Sequence, residues 1–227
     1  MKKSVAGLDQ EARAIRIITI LRQATKNMVE PASVFIVKQF GRDPFLILIS
    51  CLLSLRTRDT VSLPASVKLF EVAKTPEEIL KIPIPKLASL IYPVGFYRRK
   101  AIQLHSVSKD LIDRFGGNVP ATMDELVSIK GIGPKTANLV LGQGFGIPAL
   151  CVDTHVHRIS NRLGLVTSKT PQETEKQLKE LLPAKYWIDY NHLLVMWGQN
   201  ICVPISPFCS KCAISDLCPK IGVKRRR

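Results

Sequence analysis

Carboxylates are scarce in this chain. Against 33 Lys and Arg stand 18 Asp and Glu, which gives a formal charge of +15 and a pI near 9.8. So strong a bias exceeds that of an average globular surface and points to a polyanionic partner, either nucleic acid or an anionic membrane. Long apolar runs are missing too: the most apolar stretch, residues 44–55, falls short of the roughly 18 residues of a membrane span. The N-terminus carries no signal-peptide apolar core. Nucleic acid is therefore preferred, no membrane partner is expected, and the protein reads as soluble and intracellular, cytoplasmic and nucleoid-associated in a prokaryote. Sustained period-2 alternation, Asn-Gly or Asp-Gly hairpins between apolar runs, and internal repeats are also lacking, so the reading is all-α. With 227 residues, 46% of them hydrophobic, and a mean hydropathy of +0.11, the chain has enough apolar material for a real core.

Helical signals are plain. Between residues 8 and 28, Ile15, Ile18, Leu21 and Met28 recur at helical spacing with Arg13, Arg16, Arg22 and Lys26 among them, read as an amphipathic helix with a solvated basic face. Residues 44–55 read as a buried helix, followed by the polar cluster Arg56-Thr57-Arg58-Asp59. Thr75, Thr122 and Thr170 each stand at an N-cap position with Glu three residues on, a pattern that satisfies amide donors reciprocally. The last residues, Lys224 to Arg227, form a short basic tail read as flexible.

Chemistry concentrates in one stretch, Lys130-Gly131-Ile132-Gly133-Pro134-Lys135-Thr136. A short helix over 123–129, a two-glycine turn and a second helix from Lys135 make a helix-hairpin-helix. Gly131 and Gly133 permit backbone conformations closed to other residues and leave amides bare at a helix start, which together with the helix dipole attract phosphate. Such a hairpin grips the DNA backbone without reading sequence. Lys135 sits where the dipole's positive end disfavours a second positive charge, helped by partial burial, and a neutral amine can attack the anomeric carbon of a deoxyribose and form a Schiff base. Binding phosphate is its plainer role. Asp153 reads as the N-cap of a helix carrying Val156, Ile159 and Leu163, and it can also stabilise an oxocarbenium-like sugar or accept a proton. Asp153, His155 and His157 alternate, but a helix would splay them, so a metal triad is discounted in favour of a structural or DNA-facing role.

Six cysteines are present, and four of them lie within seventeen residues as Cys202, Cys209, Cys212 and Cys218. This spacing favours metal ligation over disulfides. Zinc and a 4Fe-4S cluster are both chemically possible, and a long first interval without histidine favours iron-sulfur. Cys51 and Cys151 stand alone in apolar sequence, as small core residues.

Three motifs in order, Lys130 to Asn138, Val152-Asp153-Thr154-His155 and the cysteine array, resemble the endonuclease III family of helix-hairpin-helix DNA glycosylases. The resemblance runs roughly from Phe35 to Cys218. It implies a helical barrel domain over 37–147, a cluster domain over 1–36 and 148–221, a basic tail over 222–227, and a DNA groove between the domains. It also implies that Lys135 is the nucleophile, Asp153 the catalytic aspartate, and Cys202, Cys209, Cys212 and Cys218 the ligands of a 4Fe-4S centre. The activity implied is excision of oxidised pyrimidines followed by β-elimination, by a monomer acting on double-stranded DNA with a damaged base or abasic site. Flipping the target base out of the stack costs less at damaged pairs. Lys130, Gly131, Gly133, Thr154 and His155 would contact DNA.

Two further DNA contacts depart from the family pattern. Arg56 stands where relatives commonly have a glutamine that fills the space left by the flipped base; arginine still donates hydrogen bonds there and adds charge. Phe96 stands in Gly95-Phe96-Tyr97 where relatives have a wedging leucine, and it would wedge or stack in DNA, or simply pack in the core. The cysteine loop from Val203 to Phe208 holds no Lys or Arg, whereas relatives often do, so phosphate contact there falls to Lys211, Lys220 or the tail. The rival readings are a mismatch-directed monofunctional glycosylase, which would not need Lys135, and a noncatalytic DNA-binding or redox-sensing iron-sulfur protein, which would need neither Lys135 nor Asp153.

Overall fold

The structure, a computed structural model, describes residues 9–227, so the sequence start of the first helix at Leu8 lies outside the described residues. Among the described residues every regular element is helical: α1 (Gln10–Ala24), α2 (Ala32–Phe40), α3 (Pro44–Ser54), α4 (Asp59–Phe70), α5 (Pro76–Lys81), α6 (Ile84–Leu90), α7 (Tyr97–Phe115), α8 (Met123–Ser128), α9 (Pro134–Leu139), a π-helical turn (Val140–Phe145), α10 (Thr154–Arg162), α11 (Pro171–Leu181) and α12 (Trp187–Asn200), with short 3-10 turns late in the chain. No helix among them is long and apolar enough to cross a membrane. The described chain divides into two compact units, residues 31–147 and residues 9–30 with 148–227.

In the 31–147 unit, α3 is the axis of packing. Asp43 caps it by accepting from Phe45 N and Leu46 N, and Pro44 occupies the first turn, where its missing N–H costs nothing. Every residue from Phe45 to Leu53 is buried, so the helix has no solvent face; each buried Leu or Ile contributes about 2 kcal/mol. Around it lie α2, α4, α7, α9 and the π-helical turn. Gly144 of that turn is required by this packing, because a Cβ there would stand 2.9 Å from Pro44 Cα.

The other unit gathers α1, α10, α11 and α12 around Ile17, Ile18, Leu21, Val156, Ile159, Tyr190, Leu194 and Trp197. Val156, Ile159 and Leu163 are buried as their spacing predicts. The face of α1 differs from expectation. Its buried residues are Arg13, Ala14, Ile17, Ile18 and Leu21, while Ile15 is only partly covered. The basic face is not simply solvated: Arg13 donates to Leu163 O and Gly164 O at 2.9 Å each, closing the carbonyl end of α10, and Arg22 pairs with Asp189 at 2.6 Å.

The threonine caps are present at all three helix starts, yet only Thr75 forms the reciprocal box. At Thr122 the Glu125 carboxylate accepts from the threonine hydroxyl, and at Thr170 the Glu173 carboxylate reaches past the cap to Lys169 N. The basic tail is a clearer correction. It is folded against the cysteine loop: Arg227 N donates to Pro207 O at 2.8 Å, Ser210 N donates to Arg227 O at 2.9 Å, and the Arg227 guanidinium lies 3.9 Å from the Phe208 ring centroid.

Candidate active site and cysteine centre

The helix-hairpin-helix forms as its residues predict, with α8 ending at Ser128 and α9 beginning at Pro134. Ile132 N donates to Ile129 O at 3.0 Å and closes the turn. The two glycines are not equivalent. Gly131 has φ +95, a left-handed value that other residues resist, and its carbonyl accepts from Gln103 Nε2 at 3.1 Å. Gly133 has φ −96, and a Cβ there would meet nothing, so its role is to leave the helix start uncovered, not to permit a special conformation. Lys130 and Lys135 are both exposed, so Lys135 lacks the partial burial expected of it. Helical winding continues beyond Leu139 as a π-helical turn, a local widening that often accompanies functional sites.

Asp153 caps α10: its Oδ1 accepts from His155 N and Val156 N, both at 2.8 Å. Both bonds go to one oxygen, which leaves Oδ2 outside the cap. Thr154 is exposed, whereas the His155 ring bonds Arg158 at 3.1 Å and lies so close to Gly198 that a Cβ there would collide with it. His155 thus faces its own unit, and His157 does likewise through Thr174 Oγ1 at 2.6 Å. Neither ring points toward a shared metal with Asp153.

Arg56 and Phe96 are exposed, and both hold left-handed backbone, with φ +54 and +58. Phe96 is 57% exposed and so is not a core residue. The two are joined by a buried lysine. Lys100 Nζ donates to Leu53 O at 2.7 Å, Leu55 O at 2.6 Å and Thr57 Oγ1 at 3.2 Å, and Gly95 N donates to the same Thr57 hydroxyl at 3.1 Å. The loop after α3 is thereby tied to the start of α7. Sequence reasoning missed Lys100, although a cation on the apolar stripe of α7 with Ala101, Leu104 and Leu111 was a readable signal.

Cys202, Cys209, Cys212 and Cys218 take part in no disulfide, are each half-buried, and all four line one cavity together with Arg162, Trp197 and Phe208. Among the described residues no three His, Cys, Asp or Glu side chains are grouped as ligands of a single metal ion. Burial pushes the Cys212 and Cys218 thiols up, so ligation would release protons there. Trp197 Nε1 is buried without a satisfied hydrogen bond, and its effect is to favour a Cys212 thiolate. An unspent donor beside four sulfurs fits an anionic, sulfur-rich group. Two arginines, also missed from sequence, tie this centre to the helix that Asp153 caps. Arg158 donates to Cys202 O at 2.8 Å, and Arg162 donates to Cys202 Sγ at 3.3 Å, Val203 O at 2.8 Å and Pro204 O at 2.6 Å. Their four-residue spacing on α10 was the available signal.

Comparison with known proteins agrees with these features. Residues 49–184 match the HhH-GPD superfamily base excision DNA repair protein family. The chain is 48% identical to Endonuclease III of Thermotoga maritima over 196 residues, which span 84% of this chain and 92% of that protein. It is 39% identical to Endonuclease III of Bacillus subtilis over 184 residues, 81% of this chain and 84% of that one. Among solved structures it is similar to a non-covalent endonuclease III–DNA complex, with TM-score 0.81 and 31% identity over 94% of this chain and 96% of that chain. A thermostable thymine-DNA glycosylase also matches at TM-score 0.81, with 28% identity over 92% and 95% of the two chains. The chain belongs to the HhH-GPD superfamily of base excision DNA repair proteins and, within it, to the endonuclease III family.

Proposed function

We propose that this base excision repair DNA glycosylase and abasic-site lyase removes oxidised pyrimidines from duplex DNA, with Lys135 as the nucleophile and Asp153 as the catalytic aspartate. The observation that carries the reading is the state of Asp153: one oxygen holds the helix cap while the other stays outside it. A cap alone needs one oxygen. Oδ2 is then available to stabilise positive charge on the sugar as the base departs, or to take a proton. Lys135, exposed on the first turn of α9, attacks C1′ as the neutral amine; the C1′–N bond breaks and its electron pair leaves with the base. The displaced base takes up a proton, the C1′–O4′ bond of the resulting aminosugar breaks with O4′ taking the proton given up by the amine, and the ring-opened sugar is left as an imine on Lys135; removal of a C2′ proton then expels the 3′ phosphate. Gly131 and Gly133 leave the hairpin amides open to a backbone phosphate. The protein is proposed to act as a monomer.

The four cysteines are proposed to hold a 4Fe-4S cluster. Thiols spread around a cavity, rather than converging on one point, suit a group in which each cysteine binds a different iron better than a single tetrahedral zinc. When bound, the cluster would cross-link residues 202–218 and order that region.

Borohydride trapping tests the catalytic reading, on a duplex with one oxidised pyrimidine, with wild type and Lys135→Ala. A covalent adduct that needs Lys135 is expected. Base release without an adduct would assign the monofunctional reading instead, and binding with neither would leave a noncatalytic DNA-binding protein. The cluster is tested separately by absorption at roughly 400 nm and about four irons per chain; stoichiometric zinc would replace it.

A further inference from the structure

After Cys218 the chain reverses on two left-handed residues, Lys220 at φ +60 and Gly222 at φ +72. It then runs beside the cysteine loop and is fastened at both ends. At the near end Ile221 N donates to Arg162 O at 3.1 Å. At the far end Arg227 binds Pro207 O and Ser210 N through its backbone, donates from Nε to Ser206 O at 3.1 Å, and covers the Phe208 ring. Between the fastenings Lys224, Arg225 and Arg226 are exposed, and among the described residues none of them takes part in a hydrogen bond or ion pair. A block of like charges ordinarily stays solvated and unordered, because folding brings the charges together. Here backbone pairing to the loop offsets that repulsion and holds the cations in place.

Arm and loop enclose an open cavity of about 350 Å³ lined by Arg162, Pro204, Ile205, Ser206, Lys224 and Arg225, among others. Its charged lining is wholly cationic. From residue 201 to 227 the sequence has one carboxylate, Asp216, against Lys211, Lys220, Lys224, Arg225, Arg226 and Arg227. The loop side of this cavity, Val203 to Phe208, supplies no cation, so the arm supplies what the loop lacks. An open cavity with cations on its wall and no base-reading amide or carboxylate suits a phosphodiester.

We propose that residues 220–227 form a fixed basic arm, docked on the cysteine loop by Arg227, that binds the backbone phosphates of duplex DNA. The proposal rests on the DNA-repair reading above and adds a contact surface that the hairpin does not provide. Each phosphate neutralised releases counterions, and the slope of log K against log salt steepens by about 0.9 per phosphate.

The test is the salt dependence of binding to an undamaged duplex, measured by anisotropy for wild type, for Lys224→Gln/Arg225→Gln/Arg226→Gln, and for Arg227→Ala. The triple variant keeps the anchor and is expected to lower the slope by about 2–3 units and weaken binding at least tenfold at moderate salt. Its melting temperature and visible absorption should match wild type. Arg227→Ala keeps the three cations and the backbone pairing but removes the Nε bond to Ser206 O and the contact with the Phe208 ring, so it loosens the arm and should give a smaller loss of affinity together with faster proteolytic cleavage after Lys224 or Arg225 than in wild type. A triple variant with the wild-type slope overturns the arm and leaves the repair reading intact. A wild type that binds no duplex at all overturns the repair reading, and the arm with it.

Discussion

Lys100 and Gly95 converge on one hydroxyl. Lys100 Nζ donates to Thr57 Oγ1 at 3.2 Å and Gly95 N donates to it at 3.1 Å, so the residues on either side, Arg56 and Phe96, are held by a shared support. Gly95 has no room for a side chain with ease: a Cβ there would stand 3.1 Å from both Arg56 O and Thr57 Oγ1. Two exposed side chains on left-handed backbone are unlike anything else in this unit's described surface, and the support is buried beneath them.

If Arg56 and Phe96 enter DNA as the resemblance to the endonuclease III family implies, Lys100→Met acts on base extrusion more than on strand cleavage. It leaves Leu53 O and Leu55 O without their donor in a covered site, at about 1–3 kcal/mol of stability. With Arg56 and Phe96 no longer fixed, excision of a paired, damaged base should fall at least tenfold, while cleavage of a preformed abasic site, which needs no base extruded, should change much less. Single-turnover rates on the two substrates check this, and equal losses on both would count against the support role.

Lys100 also sets a pH dependence of known sign. Burial pulls its ammonium down from 10.5 to about 8. Below about 8 the group is charged in folded and unfolded chains alike, and the folded state bears the full desolvation cost. Between about 8 and 10.5 the folded protein has released a proton that the unfolded chain still holds, so its contribution to stability rises across that window. The stability of wild type relative to Lys100→Met should accordingly increase, on the order of 1–3 kcal/mol, between about pH 7.5 and pH 10.5. Urea unfolding of both proteins at several pH values measures it; a difference that is flat or falls with pH contradicts the assignment.

Much of this was legible in the sequence where a residue's role depends on near neighbours. Asp153 as a cap, the hairpin at Gly131, the buried run of α3 and the grouping of four cysteines each follow from local spacing. What stayed hidden depends on partners far along the chain. Arg13 looks solvated until Leu163 O and Gly164 O are brought to it, and Arg162 looks like an ordinary last-turn cation until Cys202 is. The tail reads as flexible because its charges repel, and no local pattern announces the carbonyls of Pro207 and Ser206 that receive Arg227. The need for glycine at 144 in the π-helical turn was hidden in the same way: Gly144 approaches Pro44 of α3, and sequence periodicity carries no sign of that contact.

That approach gives a sharp stability test. Gly144→Ala places a methyl group 2.9 Å from Pro44 Cα and 3.2 Å from Pro44 Cβ, against backbone and a rigid ring that cannot turn aside. Overpacking of this kind costs about 1–3 kcal/mol, even though alanine is intrinsically the better helix residue. Chemical denaturation should show the loss. Gly133→Ala meets nothing and has ordinary backbone, and the poorer N-cap that alanine makes offsets its lower unfolded-state entropy, so stability should change by less than about 1 kcal/mol while DNA binding weakens as the methyl group covers the hairpin amides.

The last test separates the two duties given to Asp153. Asparagine caps a helix about as well as aspartate, because the amide oxygen can accept from His155 N and Val156 N as Oδ1 does. Alanine cannot, and loss of a cap costs about 1 kcal/mol. If Asp153 only caps α10, then Asp153→Asn should keep both stability and activity, and Asp153→Ala should lose stability with activity following in proportion. If the carboxylate also serves the sugar, Asp153→Asn should retain the wild-type melting temperature within a degree or two and still lose excision by a factor on the order of 100, the scale of a missing acid–base group. The second pattern is the one expected. Thermal melts and single-turnover excision on the same three preparations decide it, and a stable, fully active Asp153→Asn would return Asp153 to a purely structural role.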